Sequence, residues 1–155
     1  MSGMYGMNIK MAIYGESHGA SIGLVIDGVP PGLKLDLEAI EKEMARRAPG
    51  KNQLSTQRKE SDSFAIQSGF FEGYTTGTPL CVVIKNSDQH SKDYSILKDK
   101  MRPGHADYAG FVRYQGFNDY RGGGHFSGRL TAPLVFIGAV AKQALAQEGM
   151  LVGAH

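Results

Sequence analysis

The chain has 155 residues, 41% of them hydrophobic and 21% charged, with a formal net charge of +2 and an isoelectric point near 8.6. That length suits one domain with a core of its own, and so mild a charge, with no concentrated basic stripe, argues against a nucleic-acid-binding surface. A lone cysteine, Cys81, excludes an internal disulfide and fits a reducing, cytoplasmic compartment.

Read from the start, Met1 to Lys10 lacks the apolar stretch of a signal peptide, and no later segment is expected to approach a membrane span. Met11 to Tyr14 and Ile22 to Asp27 read as strands on either side of Gly15-Glu16-Ser17-His18-Gly19. The Pro and Gly of Gly28 to Gly32 mark a turn. Asp36 then reads as the N-cap of a helix running to about Ala48, where Pro49-Gly50 ends it. Its apolar residues Leu37, Ile40 and Met44 share one helical face. Arg46 and Arg47 in its last turn are favoured there by the helix dipole alone; at ~100° per residue, Arg47 lies about 55° from that stripe and Arg46 roughly opposite it, so Arg47 is the better candidate to face a site and Arg46 to face water. Lys51 to Ser63 is a polar loop whose centre, Ser55 to Glu60, reads as an anion-binding lid or a solvated loop. Phe64 to Ile66 and Leu80 to Lys85 read as strands around a turn at Gly73 to Pro79, with Cys81 packed in the core. Asn86 to Lys92 is a second polar loop. Thr131 is expected to cap a second helix through Ile137, Val140, Ala141 and Leu145 to Gly149, buried deeply against a sheet. Met150 to His155 reads as the first residues of a further strand, which suggests a shortened domain.

Chemistry concentrates in three places. His18, between Gly15 and Gly19, reads as a proton donor or acceptor with Glu16 nearby, or as a turn histidine that caps backbone groups. In Arg102-Pro103-Gly104-His105-Ala106-Asp107-Tyr108, Arg102 supplies a cation, His105 an acid and Asp107 a group to orient the ring. An anionic leaving group needs that combination; the other reading is an exposed loop with a chance His–Asp pair. In Arg121-Gly122-Gly123-Gly124-His125-Phe126-Ser127-Gly128-Arg129, glycines allow backbone N–H groups to converge on an anion beside two arginines. The run lacks the Lys-Ser/Thr ending of a P-loop, and the alternative is a hinge with solvated arginines. His90 and His155 lack a supporting constellation, and metal-ligand spacing is absent from the chain.

Taken in order, Gly15 to Gly19, Asp27 to Gly32, Arg46-Arg47, Thr56 to Arg58, Gly73 to Pro79, Arg102 to Tyr108 and Asp119 to Arg129 resemble the chorismate synthase family, nearly end to end. The resemblance implies an α+β fold, a β-α-β sandwich that is incomplete here. Residues 1–155 would be the amino-terminal part of a single domain whose relatives are more than twice as long. It implies a lyase of aromatic amino-acid biosynthesis, which removes phosphate and a hydrogen from 5-enolpyruvylshikimate 3-phosphate to give chorismate. That reaction needs reduced FMN, with NADPH as a possible reductant, in a homotetramer. By resemblance, His18 would protonate reduced flavin and His105 the departing phosphate. Arg47 would contact NADP or a substrate anion, and His125, Phe126 and Ser127 the flavin. Arg102, Arg121 and Arg129 would bind substrate. Gln53 stands where many members carry an arginine, as does His125. The competing reading is a non-catalytic phosphate- or nucleotide-binding module built on the glycine run and arginines.

Overall fold

The computed structural model describes residues 3–48, 61–87 and 98–153. The expected lid at Ser55 to Glu60, Gln53, His90, His155 and most of the loop after Asn86 lie outside them.

Strands β1 (Met4–Tyr5), β2 (Lys10–Gly15), β3 (Ser21–Asp27), β4 (Phe64–Ser68) and β7 (Leu80–Lys85) form an antiparallel sheet in the order β1-β2-β3-β7-β4. Alternation sets its faces. Ile22, Leu24 and Ile26 of β3 pair with Ile84, Val82 and Leu80 of β7, and all six are buried on one side. Helices α1 (Leu37–Arg47) and α3 (Thr131–Gln147) cover that side, through Ile40 and Met44 of α1 and Phe136, Ala139 and Val140 of α3. Phe64 meets Phe136 edge-on, with ring centroids 4.9 Å apart. Two polar links fix the helix pair. The Gln143 side-chain amide accepts from the Asp36 backbone N–H at 2.8 Å and donates to the Asp36 carbonyl at 2.9 Å, and Lys142 Nζ donates to Glu43 at 2.9 Å. This is the α+β architecture, with one five-stranded sheet and one helical layer against it described.

Asp36 caps α1 as expected, its carboxylate accepting from the Ala39 N–H at 3.0 Å. The Arg46 side chain is 70% exposed and pairs with Glu43, whereas Arg47 is 17% exposed and turns inward. The entry to α3 differs from expectation. Thr131 lies inside the helix, and its hydroxyl donates back to the Gly128 carbonyl at 2.6 Å. The capping hydroxyl is that of Ser127, which accepts from the Arg129 N–H at 3.3 Å ahead of a single helical turn, Gly128–Leu130. At the other end, Gly149 adopts φ 73° while its N–H donates to Ala146 O and that of Met150 to Leu145 O. This Schellman arrangement ends the helix, and residues 150–153 are exposed and make no strand. The expected strand from Met150 is corrected there: nothing lies alongside to complete its ladder among the described residues.

Three further expectations change. Cys81 is only half-buried, on the sheet face away from the helices, because its neighbours Leu80 and Val82 take the inward positions. Burial of α3 is one-sided, with Leu134 43% exposed on the other flank. Arg121–Gln147 taken together is long and apolar enough for a membrane span, against the expectation from sequence. Gly122, Gly123 and Gly124 interrupt it with positive φ, and the 17 residues of α3 extend about 26 Å, short of the ~30 Å hydrocarbon thickness. Its buried residues belong to the core. Beyond these, the structure adds a small hairpin, β5 (Phe70–Phe71) with β6 (Tyr74–Thr75), and a short helix, α2 (Asp107–Arg113).

Candidate active site

The β2–β3 connection is held in place by its neighbours. Ser17 N–H donates to Gly124 O at 3.1 Å, and His125 Nδ1 lies 2.8 Å from Gly15 O. A carbonyl only accepts, so Nδ1 of His125 carries the proton and Nε2 is its second donor or acceptor position. From β7's exit, Asn86 Nδ2 donates to Glu16 O at 3.0 Å and Gly19 O at 2.7 Å. His18, 5% exposed, is thereby set against the glycine run.

That run turns sharply. Gly122, Gly123 and Gly124 have φ of 59°, 87° and 54°, a succession that residues with a Cβ rarely adopt. A Cβ on Gly122 would lie 2.3 Å from His18 Cε1, and one on Gly123 2.6 Å from His105 Cε1. Adjacent residues therefore receive one imidazole each. With consecutive Cα atoms 3.8 Å apart, the two rings are no more than about 12 Å from one another. Residues 18 and 105, distant in sequence, lie against adjacent glycines of one run.

His105 has a carboxylate partner of its own. Its Nδ1 is 2.6 Å from Asp107 Oδ1. Arg102 grips the same carboxylate with Nε at 2.8 Å, Nη2 at 2.9 Å and its backbone N–H at 3.0 Å. Arg102 Nη2 also lies 3.2 Å from His105 Nδ1. Hydrogen bonds from the Arg102 side chain, then its backbone N–H and charge, hold the Asp107 carboxyl well below the usual carboxylate range. Arg121 repeats the pattern on Asp119, with Nε at 2.9 Å and Nη2 at 2.7 Å. That bond lowers the Asp119 pKa and raises that of Arg121, and a positive His18 would lower Asp119 further.

Arg47 and Arg129 occupy a second cluster. Both donate to Asp62, whose side chain is fully buried: Arg47 through Nε, at 2.7 Å, and Nη2 to Oδ2, Arg129 through Nη1 to Oδ1. Arg129 Nε also donates to Asn86 Oδ1 at 3.0 Å, and Asn86 holds the His18 loop. The clusters thus share one hydrogen-bonded frame. Among the described residues, every arginine singled out from sequence already has a carboxylate partner, which the hinge reading with solvated arginines did not anticipate. Sequence reasoning missed Asp62 and Asn86, and gave Asp119 no role. Phe126 lies over Gly110 of α2, where a Cβ would approach its ring to 2.7 Å, with Tyr114 at 6.1 Å between centroids. Among the described residues, no group of three or more His, Cys, Asp or Glu could hold a metal ion.

Such a site combines acids, cations and close backbone, the requirements for taking an anion from a substrate and protonating it. Known proteins share this chain's sequence and fold. Residues 9–155 match the family model described as chorismate synthase. The chorismate synthase of Pyrococcus abyssi is 50% identical over 154 residues, covering 98% of this chain and 42% of the relative. That of Sulfurimonas denitrificans is 52% identical over 148 residues, covering 96% and 41%. A solved crystal structure of chorismate synthase superposes with a TM-score of 0.67 at 30% identity, over 95% of this chain and 36% of that one. The chain spans about two-fifths of the length of these relatives, and it belongs to the chorismate synthase family.

Proposed function

We propose that this chain carries the acid-bearing part of a carbon–oxygen lyase that releases phosphate from 5-enolpyruvylshikimate 3-phosphate to give chorismate, with reduced FMN as cofactor. The observation that carries the reading is the seating of His18 and His105 on adjacent glycines, beside paired arginines. His105 would give its proton to the departing phosphate oxygen, its ring oriented by Asp107. His18 would hold a proton towards the cofactor. Arg102 and Arg121, with Arg47 and Arg129, would bind the substrate's phosphate and carboxylates.

The donor chemistry of His125, Phe126 and Ser127 fits a flavin. His125 offers Nε2, Phe126 an aromatic face, and the Ser127 hydroxyl, which only accepts in its bond to Arg129, keeps its own proton to give. Bound there, reduced flavin would supply reducing power that the elimination uses without net oxidation. NADPH would reduce it, Arg47 offering a cation for its phosphate. The partner is a small phosphorylated molecule, with neither nucleic acid nor membrane, and a full-length version would be a cytoplasmic homotetramer.

The test joins residues 1–155 to the carboxyl-terminal remainder of the Pyrococcus abyssi relative and assays phosphate release with substrate and reduced FMN. Phosphate release is expected, and His18→Ala and His105→Ala should each lower turnover by about two to four powers of ten with unchanged circular dichroism. Unimpaired rates in both variants would overturn the assignment. A second reading, a phosphate- or nucleotide-binding module, rests on the glycine run and the arginines beside it, which could hold an anion without further chemistry. Phosphate binding without FMN binding or turnover would select it.

A further inference from the structure

Asp62 is a carboxylate that the proposed chemistry does not use, and its surroundings are unusual. Its side chain is fully buried, and its φ of 52° lies in the left-handed region that a non-glycine residue occupies at a cost. The backbone thus takes a sparsely populated conformation just ahead of β4 to turn this carboxylate inward. There each oxygen takes a different arginine, Oδ2 the one at the end of α1 and Oδ1 the one ahead of α3. One negative charge between two guanidiniums leaves the group net positive. Arg47 Nη1, 3.5 Å from Thr131 Oγ1, forms no part of the bonds to Asp62.

We propose that Asp62 is a positioning residue: by dividing its oxygens between Arg47 and Arg129, it sets the spacing and aim of two guanidiniums for an anionic group of the substrate. The inference rests on the reading of those arginines as anion ligands. Arg129 is as buried as His18, so without its counter-charge it would have to turn towards water. The electrostatic alternative is that Asp62 competes with the incoming anion. The two accounts differ in sign: loss of the carboxylate weakens anion binding in the first and strengthens it in the second.

The 155-residue chain is titrated with inorganic phosphate by calorimetry, with the arginine Nε–H resonances followed by 15N NMR. In wild type, phosphate should shift the Arg47 and Arg129 signals. Asp62→Asn should weaken binding about tenfold or more. Asp62→Glu, which keeps the charge but moves it by one methylene, should stay folded and still bind about tenfold more weakly; it decides the matter if Asp62→Asn does not fold. Tighter binding in Asp62→Asn, or wild-type affinity in Asp62→Glu, overturns the proposal and leaves the anion site intact. Wild type that binds no phosphate, or binds it without moving those two resonances, overturns the anion reading and this proposal together.

Discussion

At Gly123 the φ of 87° and the 2.6 Å that a Cβ would leave to His105 Cε1 act against any side chain at once. His105 is tied to Asp107 and cannot swing away without breaking that bond. Gly123→Ala is therefore expected to destabilise by about 1–3 kcal/mol and to displace the His105 ring. Urea unfolding and the His105 Cε1–H chemical shift read the two effects; an unmoved resonance would refute the close seating. Glycine marked this place in the sequence because its conformational freedom is a local property. The pairing of arginines was less legible. Arg102 and Asp107 stand five apart in one motif and could be read together. Asp62, 67 residues from Arg129 and 15 from Arg47, carries no local signal that it will bridge them.

Elements with a buried stripe were legible and those without were not. Alternation in β3 and β7 and the Leu37, Ile40, Met44 spacing of α1 reflect one-sided burial, which imprints a period on sequence. Helix α2 has seven residues, buries only Gly110, and exposes Tyr108, Phe111 and Val112, so it shows no such period. Helix α3 was recognised by its apolar length, but its cap was misplaced because Ser127 acts one turn earlier through Gly128–Leu130. Within α3, Gly138 has nothing within 4 Å of where a Cβ would stand. In a helix interior alanine is favoured over glycine by about 0.5–1 kcal/mol, so Gly138→Ala should raise the urea midpoint correspondingly. A loss of stability instead would show that this flank is occupied in solution.

For the molecule as a whole, the paired carboxylates determine how folding responds to acid. Asp107 and Asp119 are both held below their ordinary pKa, each first by hydrogen bonds from its own arginine, Arg102 or Arg121. A depressed folded-state pKa means the unfolded chain binds protons that the native one refuses, so stability rises with pH through that range. The contribution is complete above the unfolded carboxylate pKa of about 3.9 and fades as pH falls below it towards the folded values. Urea unfolding from pH 7 down to pH 3 should show a midpoint that declines most steeply on the acid side of about pH 5. In Asp107→Asn with Asp119→Asn the midpoint should begin lower at pH 7 and change less across the same interval, because two of the groups whose protonation differs between the two states are gone and Glu43, lowered by its bond from Lys142, remains. The same substitution at Asp107 removes the partner that orients His105, so phosphate release by the joined protein should fall even at pH 7, where the fold is retained. Parallel pH curves for the double variant and wild type would mean that these arginine pairs do not couple folding to protonation.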